Sequence, residues 1–472
     1  MASLPQLNLS NIIFWITQKR WIIIALLVGI ILYNVPTPSG LTDAGYHTLI
    51  IIIITLILII TEPIPLPGVA FLIIILEVYF GVADADSVAK SFMNDAVFFI
   101  MGSLTLAVAI VRQGWDTRIA LMIIKFTGNN AYRIAFGFAF IAAILSSFIG
   151  EHTVVAILLP IGVTLLRFSA KDIKKIRNLS ALILFSIAYG SLIGSIGTPS
   201  GGGRNVIMLS YWKSFGLSGL SYVEWMYLVY PLILIQLPIF MWISVKTFKP
   251  EKLLLDSGVR RLKAQVARSE MQPAKNIAAL IIFFLVFLGW IFYSEEIGLG
   301  IIALTGVILY LVSGLVTWDD INRNVNWGVI ILFGATLSLG AQIYNTGAAT
   351  WLADKILLLT GQIMESIPIL TDTFVVLITT ILANIISSSA TVAVLAPITL
   401  KLSGDPIYLG LLTAIASAFG YFTAVAAPAC TIIYASGLIK AKDFLKIGWK
   451  MGLVSIITVI VYANVYWKII NM

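Results

Sequence analysis

Residues 147–160 read "SFIGEHTVVAILLP", from Ser147 to Pro160, and place Gly150, Glu151 and His152 inside an otherwise apolar run. His152 is one of only two histidines in the chain. In a soluble protein a glutamate and a histidine at a helix start would be ordinary. At membrane depth a charged group costs several kcal/mol unless it is paired or wetted, so the same three residues become candidates for function. What surrounds them decides between the two.

The 472-residue chain is 60% hydrophobic and 11% charged, with a mean hydropathy of +1.01. Soluble domains carry about 25% charged residues, so this is an integral membrane protein. Its apolar stretches are long enough for helices to cross roughly 30 Å of hydrocarbon, and the alternation of a β-barrel is absent. The single cysteine, Cys430, excludes an internal disulfide framework. The first apolar segment follows Lys19-Arg20 without a small-residue cleavage site and is expected to be an uncleaved span. A net charge of +8 is explained by juxtamembrane Lys and Arg, so no nucleic-acid partner is expected; the lipid bilayer is.

Spans are expected near 21–35, 47–61, 66–82, 95–112, 179–210, 226–246, 276–293, 299–316, 327–345, 407–437 and 446–468, eleven in all. Two further stretches, 133–167 and 370–401, are read as too short for two crossings each and as re-entrant hairpins, with tips at 150–153 and 387–391. With a cytoplasmic N-terminus, most of the 30 basic residues fall in inside loops, which supports that orientation in the cell membrane and an extracellular C-terminus.

The chain repeats itself. The run 93–102 resembles 325–334, "EHTVVAILLP" ending at Pro160 resembles "SSATVAVLAP" ending at Pro397, and "SIAYGSLIGSIGTP" (186–199) resembles "ASAFGYFTAVAAP" (416–428). The matches keep their order at offsets of roughly 230 residues, the mark of a duplicated unit. An odd number of spans separates corresponding points, so the halves have opposite topology, the architecture of secondary transporters with a midplane site. Each half also holds an interrupted helix, "SIGTPSGGGRN" (195–205) and "TAVAAPACT" (423–431), where Gly and Pro stop a regular helix. Unwound backbone at membrane depth needs protein or a wet cavity beside it, so two tips and two breaks are expected to converge on one site.

These features resemble the divalent anion/sodium symporter family, the INDY-type di- and tricarboxylate transporters, over nearly the whole chain. That family carries Ser-Asn-Thr at each hairpin tip and Thr-Pro-Pro-Asn-like turns in its fifth and tenth helices. Here the tips read Gly150-Glu151-His152 and Ser387-Ser388-Ser389; the breaks keep Thr198-Pro199, running through Gly201 to Arg204 and Asn205, and Ala427-Pro428-Ala429-Cys430. The resemblance implies an all-α polytopic fold, eleven transmembrane helices plus two re-entrant hairpins in inverted repeats. It implies scaffold segments at 1–130 and 276–366, transport segments at 131–246 and 367–472, and a basic cytoplasmic loop at 247–275. By the same resemblance the amphipathic stretches 114–127 and 347–360 are surface arms, the scaffold pairs into a homodimer, and the rest moves as an elevator.

In sodium-coupled relatives the tips and breaks form oxygen cages for Na⁺. Gly150, Ala427 and Cys430 stand where the family has Ser, Thr and Asn. Arg204, always charged, is expected to supply permanently what sodium supplies reversibly. The resemblance therefore implies a sodium-independent exchanger of C4/C5 dicarboxylates such as succinate, malate, fumarate and 2-oxoglutarate, with no cofactor and no metal. The substrate contacts are expected from Gly150, Glu151, His152, Thr153, Thr198, Pro199, Ser387, Ser388, Ser389, Ala427 and Pro428, with Arg204, Asn205, Glu151 and His152 as cation substitutes or coupling groups. Thr391 and Thr431 are further hydroxyl donors.

Glu151 and Arg204 are expected either as a mutual ion pair or facing substrate. His152 is expected as a substrate donor, a histidine hydrogen-bonded within the tip, or a proton carrier, since histidine titrates near about pH 6.5. A Na⁺- or H⁺-coupled dicarboxylate or citrate symporter stays open, as does transport of sulfate or another divalent anion. An intramembrane hydrolase is remote, because no zinc-ligand spacing and no Gly-x-Ser-x-Gly elbow occurs. Gly201 to Gly203 lack the Lys-Ser/Thr of a phosphate loop. The chain is thus read as a transporter and not an enzyme.

Overall fold

The computed structural model describes residues 9–113, 119, 122, 123, 125–170, 172–267, 273–360, 367–402, 405–424 and 426–470. Among these the secondary structure is helical, apart from turns and one isolated bridge between Asn130 and Leu254. Ten helices are long and apolar enough to cross a membrane. Each expected span contains helix, although Leu66–Tyr79 and Leu299–Val312 have only 14 residues each.

Two segments depart from regular helix where the sequence demands it. Arg177–Gly194 stops, a 3-10 turn runs Pro199–Gly201, and helix resumes at Gly203–Ser214. Pro406–Ala416 stops likewise, and helix resumes at Pro428–Ala435. Pro199 opens the 3-10 turn and Pro428 opens the second restart, where its fixed φ suits the first helical turn and its missing N–H removes nothing.

The first hairpin consists of Ala131–Ile149 and Glu151–Ser169, joined by Gly150 alone at φ 81°. A side chain is strained in that left-handed region, so glycine makes the one-residue reversal possible. The second hairpin joins Pro368–Ile385 to Ser388–Thr399. One sequence expectation needs correction. Each arm of the first hairpin has 19 residues, about 28 Å of helix, long enough to cross by length and composition alone. The arms outrun the apolar stretch because Asn130 caps the first arm, accepting from the Tyr132 and Arg133 amides at 3.0 and 3.3 Å, and the second arm runs on to Ser169.

The chain divides into two compact units, Met1–Met93 with Trp327–Leu358, and Asn94–Asn326 with Leu359–Met472. In the first unit, Leu66–Tyr79 packs on Trp327–Asn345, and Ser338 donates to Glu77 Oε2 at 2.8 Å. His47, the other histidine, contacts the Phe80 carbonyl at 2.8 Å and stacks on Tyr33. Of the expected surface arms, 347–360 forms the helix Ala348–Thr360, while most of 114–127 lies outside the described residues.

The second unit holds both hairpins and both breaks. Its tightest packing is between the first hairpin arm Ala131–Ile149 and the helix Arg177–Gly194. Their backbones approach so closely that a Cβ on Gly194 would sit 2.0 Å from the Ala143 carbonyl oxygen, and one on Gly190 2.6 Å from that of Ala139. Small residues here play the part they play between membrane helices generally, replacing side-chain bulk with backbone contact. Gly194→Ala should therefore push the two helices apart and lower the unfolding midpoint in detergent by several degrees or prevent recovery of folded protein. Gly219→Ala, whose Cβ would meet Trp212 at an ordinary 3.5 Å, should leave the midpoint unchanged.

Candidate functional site

The first tip and the first break close on each other through polar atoms. Glu151 is the first residue of the second hairpin arm, and Arg204 lies in the first turn of the helix that resumes after the break. Arg204 Nη1 donates to Glu151 Oε2 at 2.9 Å, with both side chains buried. Ser195, at the end of the helix before the break, completes a triangle: it accepts from Arg204 Nη2 and lies 2.9 Å from Glu151 Oε2. The expected ion pair is thus present. A cation and a carboxylate that would each be costly alone in an apolar medium cancel. Asn205 fixes the same break from below, its Nδ2 donating to the Ser195 and Thr198 carbonyls at 2.9 and 2.8 Å.

A second chain of contacts reads in one direction only. The Ser147 carbonyl can only accept, so Thr198 Oγ1 donates to it. Thr198 must then accept from Ser200 at 2.9 Å, and Ser200 from the Tyr222 hydroxyl at 2.7 Å. In this arrangement the Thr198 hydroxyl proton is engaged by the Ser147 carbonyl. Gly201 is required by the same closeness: a Cβ there would lie 2.4 Å from the Ser195 carbonyl oxygen and 3.0 Å from that of Ser147.

His152 is half-buried, and a Cβ on Gly150 would lie 3.4 Å from its ring. The ring thus folds back over the tip. Thr153 and Pro199 are buried.

The second half repeats the arrangement without charges. Asn384, three residues before the tip as Ser147 is before Gly150, donates to the Phe419 carbonyl at 2.9 Å and accepts from the Phe422 amide at 2.7 Å. Thr423 donates to the Asn384 carbonyl at 3.3 Å. Ser387 caps Ser388–Thr399, accepting from the Ala390 amide, and Thr391 donates back to the Ser387 carbonyl. Ser389 is half-buried, and Ser388 Oγ is buried without a hydrogen-bond partner. The Ala427 carbonyl accepts from the Cys430 and Thr431 amides, and Pro428 is exposed.

The halves meet crosswise. The helix after the second break, Pro428–Ala435, packs on Glu151–Ser169 and Arg177–Gly194, and Gly203–Ser214 packs on Ser388–Thr399. Tyr189 donates to the Tyr421 carbonyl at 2.6 Å, and Tyr211 to the Ala393 carbonyl at 2.9 Å. So the first tip and both breaks share one region. The second hairpin's inner arm joins it through Tyr211.

Ser147, Ser195, Ser200, Tyr222 and Asn384 escaped the sequence reading. Ser147 and Asn384 were findable, since aligning Pro160 with Pro397 also aligns these two positions. Ser195, Ser200 and Tyr222 carry no such signal. Among the described residues no group of three or more His, Cys, Asp or Glu could hold a metal ion. Four N-termini, at Glu151, Gly203, Ser388 and Pro428, belong to the two tips and two breaks. Each presents a positive dipole end, which suits a carboxylate.

Comparison with known proteins matches residues 17–472 to the family described as the sodium:sulfate symporter transmembrane region. The sodium-dependent dicarboxylate transporter SdcS of Staphylococcus saprophyticus is 26% identical over 450 residues, spanning 90% of this chain and 86% of that protein. An uncharacterized transporter of Haemophilus influenzae is 28% identical over 414 residues, 84% of this chain and 87% of that one. Two solved structures share the fold, each with a TM-score of 0.55. They are the Alcanivorax borkumensis YdaH transporter, 13% identical over 82% of this chain and 88% of its own, and Neisseria gonorrhoeae MtrF, 12% identical over 95% and 94%.

If the ion pair closes the site, removing one member should be worse than removing both. Arg204→Met leaves Glu151 buried without a cation and should cost about 3–5 kcal/mol, most of it recovered in Glu151→Leu/Arg204→Met. Thermal unfolding of the single and double variants in detergent tests this. Additive losses would mean that the two charges are independent.

Proposed function

The chain belongs to the sodium:sulfate symporter transmembrane family, and we propose that it is a secondary transporter of C4/C5 dicarboxylates that works without sodium, by exchanging one dicarboxylate for another. The observation that carries the reading is the Glu151–Arg204–Ser195 triangle. It closes tip on break with the protein's own charges, in the place where sodium-coupled relatives are expected to bind a cation. With no ion needed to assemble the site, only the dicarboxylate gradients remain to drive movement. The name of SdcS supports the substrate class.

Because Glu151 neutralises Arg204, the positive potential offered to a dianion comes from the four helix N-termini, and His152 contributes a ring N–H. His152 sits beside Gly150 at the tip and is the side chain in this reading that donates to a substrate carboxylate, with Ser388 and Ser389 from the second tip. Gly150, Thr153, Pro199, Ala427 and Pro428 shape the backbone around it, and Asn205 holds the first break.

The hairpins are re-entrant in this reading and the repeats inverted. Segments 1–130 and 276–366 form a dimerising scaffold, against which 131–246 and 367–472 move as an elevator, with 247–275 and the N-terminus on the cytoplasmic side. A second reading, sodium-coupled symport, is favoured by the second half. It keeps three serines at its tip, the oxygen-rich pairing of Asn384 with Thr423, and an unpartnered Ser388 hydroxyl. Proton coupling through Glu151 or His152 is the variant of symport that needs no such cage.

Labelled succinate uptake into proteoliposomes separates these. Exchange requires uptake that depends on dicarboxylate trapped inside and is unchanged by sodium. Uptake into empty vesicles that needs a sodium gradient would replace exchange by symport, and uptake needing a proton gradient would assign coupling to Glu151 or His152. His152→Ala should reduce uptake at least about tenfold, the loss of one charge-assisted hydrogen bond worth about 1.5–3 kcal/mol, and leave the unfolding midpoint unaltered. Wild-type uptake in that variant would remove His152 from the site.

A further inference from the structure

Residues 248–267 run across the base of the first hairpin and hold its two arms and the helix Arg177–Gly194 together. Ala131 N donates to the Leu253 carbonyl at 2.8 Å and Leu255 N to the Asn129 carbonyl at 2.9 Å, a short backbone pairing with the start of the first arm. Asn129 Nδ2 donates to Asp256 Oδ1 at 2.6 Å. At the end of the second arm, Lys252 Nζ donates to the Ser169 carbonyl at 2.9 Å, and Arg261 lies 4.9 Å from the centre of the Phe168 ring. Gly258 comes so near that a Cβ would be 2.6 Å from the Leu165 carbonyl oxygen. Glu251 accepts from the Asn178 and Leu179 amides, at the start of the helix that leads to the first break.

The outer surface of this strap has a composition that the packing does not explain. In the helix Asp256–Ala267, Val259 and Leu262 turn inward, as does Leu255 just before it. The backbone pairing holds Leu253 and Leu254 out instead, each about half exposed (50% and 51%), and Phe168 at the end of the second arm is exposed as well. Lys249, Arg260 and Lys263 are exposed and, among the described residues, in no ion pair. The two acids of the strap are engaged elsewhere, Glu251 on helix amides and Asp256 on Asn129. Exposed leucines flanked by unneutralised cations on an amphipathic segment suit the boundary between acyl chains and anionic headgroups.

We propose that this strap is a binding site for anionic phospholipid. Leu253 and Leu254 enter the acyl boundary, and Lys249, Arg260 and Lys263 meet the headgroup phosphates. The strap is bonded to both hairpin arms and to the helix behind them. A lipid held there therefore fixes the base of the hairpin whose tip carries Glu151.

The test uses the full chain carrying Leu254→Cys, labelled with an environment-sensitive fluorophore. Cys430, the sole natural cysteine, is buried, so label is directed to position 254. The chain is reconstituted into phosphatidylcholine vesicles with and without phosphatidylglycerol. Anionic lipid should shift the emission to the blue, and Lys249→Gln, Arg260→Gln and Lys263→Gln should each lower the inserted fraction by about fivefold. Identical emission in both vesicle types, or an undiminished shift in the triple variant, overturns the proposal. So does reversal of the shift by soluble inorganic phosphate, which would make this a site for free anions. Should the triple variant not fold, Lys263→Glu alone, at an exposed position, must reduce the shift. The readout does not depend on which substrate is carried, so its failure leaves the transport reading standing.

Discussion

One buried guanidinium meeting one buried carboxylate at 2.9 Å is the constraint around which this site is arranged. Neither charge is tolerable alone in a dry interior, and together they are tolerable only with good geometry and further hydrogen bonds. Much of the surrounding sequence supplies that geometry. Gly150 turns the chain in one residue so that Glu151 starts a helix, Gly201 lets the break lie on Ser195 and Ser147, and Ser195 bridges the two charges. Gly190 and Gly194 bring the supporting helix against the first arm at backbone contact. The pair thus depends on glycines as much as on its own charges.

The two halves of the chain solve the same mechanical problem with different chemistry. Each must fasten a hairpin tip to a helix break. In the first half Ser147 and Thr198 form part of the fastening and the ion pair the rest. In the second, Asn384 alone makes bonds with both Phe419 and Phe422, and the positions matching Glu151 and Arg204 are Ser388 and Ile433. The fastening is thereby charged on one side and uncharged on the other. Unpartnered buried polar atoms remain in both halves, Arg204 Nε and Asn205 Oδ1 in the charged one and Ser388 Oγ in the uncharged one.

The fold was largely legible in the sequence, because apolar run length and glycine–proline interruptions act locally. The tips at Gly150 and Ser387 and the first break after Gly194 fall where composition placed them, whereas the second break opens after Ala416, ahead of the expected 423–431, and helix has resumed by Pro428. Helix ends were less legible: Asn130 carries the first arm beyond its apolar stretch through a cap that hydropathy does not register. At the site, Glu151 and Arg204 stood out because charge in an apolar run is rare. Ser195, Ser200 and Tyr222 did not, since small hydroxyl residues and tyrosines occur throughout membrane helices and acquire a role only when a turn brings them together. Thr198 was visible, but its hydrogen bond to the Ser147 carbonyl was not.

The most direct test of the account is equilibrium binding of labelled succinate to the purified protein in sodium-free buffer, followed by addition of sodium. A site already closed by Glu151 and Arg204 predicts saturable binding without sodium and no change in affinity when it is added. Binding that appears only with sodium would show that the ion pair does not stand in for a cation, and the central claim would fall.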